Sequence, residues 1–160
     1  MHGFSLVEVL IAIVLVGLSI TALVAASNAF TMANGAAADL STAEFLVEQI
    51  REMTTLLPVS DPDVVNWMHF GPETGETLAA YNDVDDFDGA SFSPPVDAAR
   101  NALSAFGAFR QQVTVQKISI SDFDTVVADT DGTTPFVRVQ VDVLQNGQTV
   151  CSARWIRARY

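Results

Sequence analysis

Glu8 is the first residue whose chemistry asks for a partner. It heads thirty residues without one Asp, Glu, Lys or Arg, ending at Asp39. A charged side chain within an apolar membrane helix costs on the order of 2.5 to 3.5 kcal/mol near the bilayer centre and less near the interface. Glu8 is therefore either a solvated group at the positive end of a helix dipole or half of an ion pair. Two acidic clusters offer a different chemistry: Asp83, Asp85, Asp86 and Asp88 in the first, Asp122, Asp124, Asp129 and Asp131 in the second. Hard carboxylate oxygens suit calcium, and Gly89 gives the first cluster the backbone freedom to wrap an ion. Neither fits an EF-hand loop, because with Gly89 or Gly132 as the sixth residue the first would be Val84 or Val127. Turns whose Asp side chains bind the local backbone account for the same residues.

Little else suggests catalysis. His2 and His69 are the only histidines and Cys151 the only cysteine, which excludes an intrachain disulfide and a cysteine zinc cage. Cys151 reads as a small core residue, and Trp67, Met68 and Phe70 read as core also. There is no Gly-x-Ser-x-Gly elbow, glycine-rich phosphate loop or His-Glu-x-x-His. Asp pairs can cleave glycosidic bonds, but only at a separation that sequence does not reveal. The net charge of -11 argues against nucleic acid, since the largest basic cluster is Arg154, Arg157 and Arg159. Neither an enzyme nor a resident cofactor is expected, calcium being the one ion the residues invite.

The elements that position these groups follow from hydrophobic patterning. Val9 to Ala26 is long and apolar enough to cross a bilayer, which takes roughly 20 helical residues. A cleaved secretory signal fits poorly: Val24-Ala25-Ala26 would supply the cleavage site, but Met1-His2-Gly3 supplies no Lys or Arg. Apolar residues then recur mostly at spacings of three and four through Phe30, Ala33, Ala37, Leu40, Ala43, Val47 and Ile50 to Leu57, ahead of Pro58. One helix over residues 4 to 57 is predicted, its first half in a membrane and its second laid on a head domain. Gly17 and Gly35 are its weak points, and a break at Gly35 remains open.

Turn formers dominate residues 59 to 108, which read as a long ordered connection. Short helices are predicted from Val96 to Phe106 and, for a turn or two, near Val64 to Phe70. Strands follow. Val113 and Val115 alternate with polar residues and Ile118 and Ile120 continue in the opposite phase, implying a bulge at Gln116-Lys117. Val137, Val139, Val141 and Val143 form a second strand, and Gln148 to about Arg157 a third. Asn146-Gly147 marks a hairpin between them. A loop of Gln145, Asn146 and Gly147 would set Val141 opposite Cys151, Val139 opposite Ala153 and Val137 opposite Trp155. A two-residue loop would instead place Arg154 opposite Val139, on the apolar face. The predicted fold class is α+β, a long N-terminal helix with a small antiparallel β-sheet.

Gly3-Phe4-Ser5-Leu6-Val7-Glu8-Val9-Leu10-Ile11-Ala12-Ile13, with Gly17, closely resembles the processing and methylation motif of type IV prepilins and type II secretion pseudopilins. The resemblance implies cleavage by a prepilin peptidase between Gly3 and Phe4, methylation of the Phe4 amine, and an assembly role for Glu8 as the mature chain's fifth residue. It implies a leader at 1–3, a transmembrane assembly helix at 4–27 and a periplasmic head at 28–160. It also implies other pilin subunits and the inner-membrane assembly platform as partners, with the inner membrane and then a pilus or pseudopilus as location. The leader Met1-His2-Gly3 departs from the family in lacking basic residues, so the positive-inside cue is missing. Asp83 to Gly89, Pro94-Pro95 and Phe109 to Val115 resemble, more weakly, minor pilins of mannose-sensitive haemagglutinin pili, favouring a minor subunit. The rival from another class is a membrane-anchored periplasmic binding or hydrolytic domain, whose N-terminus would be uncut or begin after Ala26.

Overall fold

The computed structural model describes residues 3–61 and 69–159, in two units, 1–39 and 40–160. Helix α1, Leu6–Thr55, belongs to both and is unbroken at Gly17 and Gly35. Among the described residues it is the one helix long and apolar enough to cross a membrane. In the first unit its apolar side chains face outward: Leu10, Ile13, Val16, Leu23 and Phe30 are all exposed. From Ala43 onward the same helix buries Ala43, Leu46, Val47, Ile50 and Met53. The change follows the sequence, because charged residues first appear at Asp39 and leave one apolar stripe for the head domain to cover.

The sheet is antiparallel in the order β1 (Ser91–Phe92), β2 (Phe109–Lys117), β3 (Phe136–Gln145) and β4 (Gln148–Ala158). The architecture is the predicted α+β. Alternation turns one face inward: Val113 and Val115 of β2 pair with Val141 and Val139 of β3, and all four are fully buried. They join the α1 stripe and Phe87 in one core. Burying one such valine contributes about 1.5 to 3 kcal/mol relative to leaving it exposed. Gln112 on the opposite face is exposed.

Arg157 closes the end of α1. Its Nη1 donates to Thr54 O at 2.8 Å and its Nη2 to Leu57 O at 2.9 Å. The helix has no basic residue in its own last turn, so β4 supplies the cation that complements its C-terminal carbonyls.

Three sequence expectations are corrected. No helix forms over Val96 to Phe106: Val96 and Ala102 pair in a β-bridge, Asp97 Oδ1 accepts the Asn101 N–H at 2.7 Å, and only Ser104–Phe106 makes a 3-10 turn. Arg100, at φ 68°, drives its guanidinium into the carbonyls of Leu78, Ala79 and Tyr81, and that non-local clamp outweighs helix propensity. No bulge interrupts Gln116-Lys117, because Lys117 is buried in the Val115 phase and its Nζ donates to the carbonyls of Asp129 and Asp131. The phase changes only at Ile118, beyond the strand, and Ile120 is exposed.

The last hairpin has a two-residue loop, not three. Asn146 and Gly147 take φ of 52° and 81°, the paired left-handed geometry of a tight hairpin turn. Gln145 then faces Gln148 and Leu144 faces Thr149, and a bulge shifts the register so that Val143 faces Cys151, Val141 faces Ala153 and Val139 faces Trp155. Arg154 faces Gln140. The parity required by burial is kept, but the extra residue is a bulge in β4 and not a third loop residue, so the expected pairs Val141–Cys151, Val139–Ala153 and Val137–Trp155 do not form. The turn expected around 64 to 70 and the side chains of Trp67 and Met68 lie outside the described residues, while Phe70 packs partly buried on the core.

Candidate functional site

The N-terminal end of α1 is built by Ser5 and Glu8. The Ser5 N–H donates to Glu8 Oε2 at 2.9 Å, and Ser5 Oγ accepts the Val7 N–H at 3.3 Å. This is a variant of the capping box: Glu8 satisfies the Ser5 N–H, while the Ser5 hydroxyl satisfies the N–H of Val7 and not that of Glu8. The pattern Ser5-x-x-Glu8 is readable in sequence and was the missed signal here. Glu8 therefore has a local role, and its side chain remains exposed at the helix surface. Phe4, Glu8, Val9, Ala12, Ile13 and Val16 line one shallow, open concavity on this helix. A carboxylate thus sits among exposed apolar side chains. Gly3 has open space around its Cα, and Phe4 is almost fully exposed.

The first acidic cluster is folded inward. Asp83, Asp85 and Asp86 are each at most 3% exposed. Asp86 Oδ2 accepts the N–H groups of Asn82 at 2.8 Å and Asp83 at 3.2 Å, and Asp83 Oδ1 accepts the Asp86 N–H at 3.1 Å. These reciprocal bonds tie the turn into the 3-10 segment Asp85–Phe87. Asp85 Oδ2 accepts the Gly71 N–H at 3.0 Å, and Asp88 Oδ1 accepts the Val115 N–H at 2.8 Å, pinning the turn to β2. Oδ1 of Asp86 is buried without a hydrogen-bond donor.

Electrostatics reflect that burial. Asp83 is pushed up to about 8, first by burial and then by hydrogen bonding with and repulsion from Asp85. Asp86 is raised to about 6 by burial, against the lowering effect of the Asn82 N–H. Asp85 is raised by burial, partly offset by its bonds to Asp83 and Gly71. Burial also raises Glu73, helped by its neighbour Glu76. One ligand oxygen from each of Glu73, Glu76 and Asp86 lies within 4.8 Å of the others. Sequence reading missed Glu73 and Glu76, because only the fold brings residues 73 to 76 onto the turn at 86.

The second cluster forms exposed turns. Asp122 Oδ2 accepts Thr125 Oγ1–H at 2.6 Å, and Asp131 Oδ1 accepts the Thr133 N–H and hydroxyl at 2.7 and 2.6 Å. These bonds hold both carboxyls below the usual range. Cys151 lies partly buried against the core, and burial pushes its thiol up, away from the reactive thiolate.

No curated protein and no solved structure matches the chain significantly. The capped, apolar, uncovered helix and the motif at its head point to membrane anchoring, peptidase processing and assembly into pilin-type filaments. Residues 1–24 match the family described as the prokaryotic N-terminal methylation motif, and the chain thereby carries the signal of type IV pilin-like and pseudopilin-like proteins, a structural family.

Proposed function

We propose that the chain is a minor pilin or minor pseudopilin, a subunit that works by assembly and not by catalysis. The observation that carries this reading is the methylation motif at the head of an apolar helix whose side chains are exposed. In the membrane, lipid covers that surface; in a filament, neighbouring helices do. The peptidase would cut between Gly3 and Phe4, leaving a leader at 1–3, an assembly helix at 4–27 and a periplasmic head at 28–160. Its partners would be the peptidase, other pilin subunits and the inner-membrane assembly platform. The weaker resemblance over Asp83 to Gly89 and Phe109 to Val115 supports the minor assignment.

Glu8 supplies the assembly contact in this reading. Cleavage places an amine on Phe4, and Glu8 of an adjacent subunit neutralises it within an apolar filament core. Removing one partner of a buried ion pair typically costs about 3 to 5 kcal/mol, enough to decide whether a subunit docks. Intact-mass measurement on protein from its native host tests the proposal: the mature chain should begin at N-methylated Phe4. A chain beginning at Met1 or Ser27 would refute it. Glu8→Val should leave the head folded and reduce incorporation into filaments, and equal incorporation would remove Glu8 from assembly.

A further inference from the structure

We propose that Glu73, Glu76 and Asp86 form a divalent-cation site of calcium type on the connection between α1 and β1. Two turns build it. Glu76 N–H donates to Glu73 O at 3.0 Å across a turn in which Gly75 takes φ 90°, bringing carboxylates three residues apart to one side. Asp86 comes from the 3-10 segment, its orientation set by the bonds from Asn82 and Asp83 to its Oδ2. The three ligand oxygens lie within 4.8 Å of one another. Three oxygens at the full 4.8 Å would sit about 2.8 Å from a common centre, so a small inward turn of the side chains brings them to the about 2.3 to 2.6 Å that calcium takes; magnesium demands about 2.1 Å and gives up its waters reluctantly.

An independent observation points the same way. Asp86 is 1% exposed, and its Oδ1 has no hydrogen-bond donor although its Oδ2 has two. A buried carboxylate oxygen left without a partner is costly and uncommon, and a cation supplies what the backbone does not. Glu76 Oε2 accepts the Glu73 N–H at 3.2 Å, and Glu73 Oε1 lies 3.5 Å from His69 Nδ1. With three carboxylates, water completes the shell. Asp85 and Asp88 are spent differently, each having one oxygen on a backbone N–H outside this group, at Gly71 and Val115. The ion would fasten the turn at 73–76 to the turn at 83–88, and through Asp88 to β2. The proposal does not depend on filament assembly.

The test uses the full chain in detergent micelles, stripped with EDTA and titrated with calcium chloride by calorimetry, with thermal unfolding alongside. One calcium per chain should bind and raise Tm, with magnesium at least about tenfold weaker. Glu73→Gln combined with Glu76→Gln should weaken calcium at least about tenfold, while its Tm in EDTA stays at or above that of the unmodified chain, since a source of repulsion is gone. Asp122→Asn with Asp131→Asn should leave the titration unchanged. Absence of calcium binding up to about 10 mM, above the range of extracellular calcium modules, overturns the site. So does an affinity that the Glu73/Glu76 pair does not change, or one that the Asp122/Asp131 pair changes equally.

Discussion

Gln111→Leu is expected to be the most damaging near-isosteric change in the sheet. Gln111 lies on the inward face of β2 and is fully buried. Its Oε1 accepts the Val96 N–H at 2.8 Å, and its Nε2 donates to Val96 O at 3.1 Å and Leu46 O at 2.9 Å. One side chain thus joins α1, the connection and the sheet. Leucine fills similar space but leaves the Val96 N–H and C=O without those partners. Leu46 O loses less, because it lies in the helix interior, where the carbonyl keeps its intrahelical bond. Each buried orphan costs about 1 to 3 kcal/mol, and burial of leucine recovers part of it, for a net loss of about 3 kcal/mol. For a head of roughly 120 residues that lowers Tm by about 12 °C. Thermal unfolding of the full chain in detergent, followed by near-UV circular dichroism, measures it. Gln112→Leu is the control: the same change one residue along, on the exposed face, should stay within about 0.5 kcal/mol. A loss below about 1 kcal/mol for Gln111→Leu, or equal losses for the two variants, would refute the clamp.

Arg157→Met removes two charge-assisted bonds from the end of α1 and should cost about 1.5 to 3 kcal/mol by the same unfolding assay. Gly147→Val forces a β-branched residue to φ 81° and should cost about 1 to 2 kcal/mol, with Gly147→Asn much milder. Because Asp83 and Asp86 are held up to about 8 and about 6, above their unfolded values near 4, the native head binds more protons than the unfolded chain. Their contribution to stability is full below about pH 4 and is lost as pH rises through about 6 and then about 8. In EDTA, Tm should therefore fall between pH 5 and 8, and Asp83→Asn should flatten the fall; a Tm rising across that window would contradict the burial argument.

Much of the architecture is legible along the chain because it rests on local periodicity. Thirty uncharged residues dictate a helix long and apolar enough to cross a membrane, and three- and four-residue spacing continues it to the residues that pack on the sheet. Val137 to Val143 alternate because one face must be dry, and Asn146-Gly147 can adopt the two left-handed conformations that a tight turn demands. Glu8 stands out since a charge beside an apolar run has few explanations. What the tertiary structure decides are contacts between residues far apart in sequence. Lys117 and Gln111 are polar letters that pattern reading assigns to solvent, yet both are buried because carbonyls from other segments meet them. The bulge after Val143 is a compromise between the turn that Asn146-Gly147 prefers and the face on which Arg154 must stay. The acidic run at 83 to 88 has the composition of a solvated turn; only the packing of Val84 and Phe87 into the core draws Asp83, Asp85 and Asp86 inward with them. Glu73 and Glu76 gain meaning only when the chain returns beside them at Asp86, a proximity that no spacing along the sequence encodes.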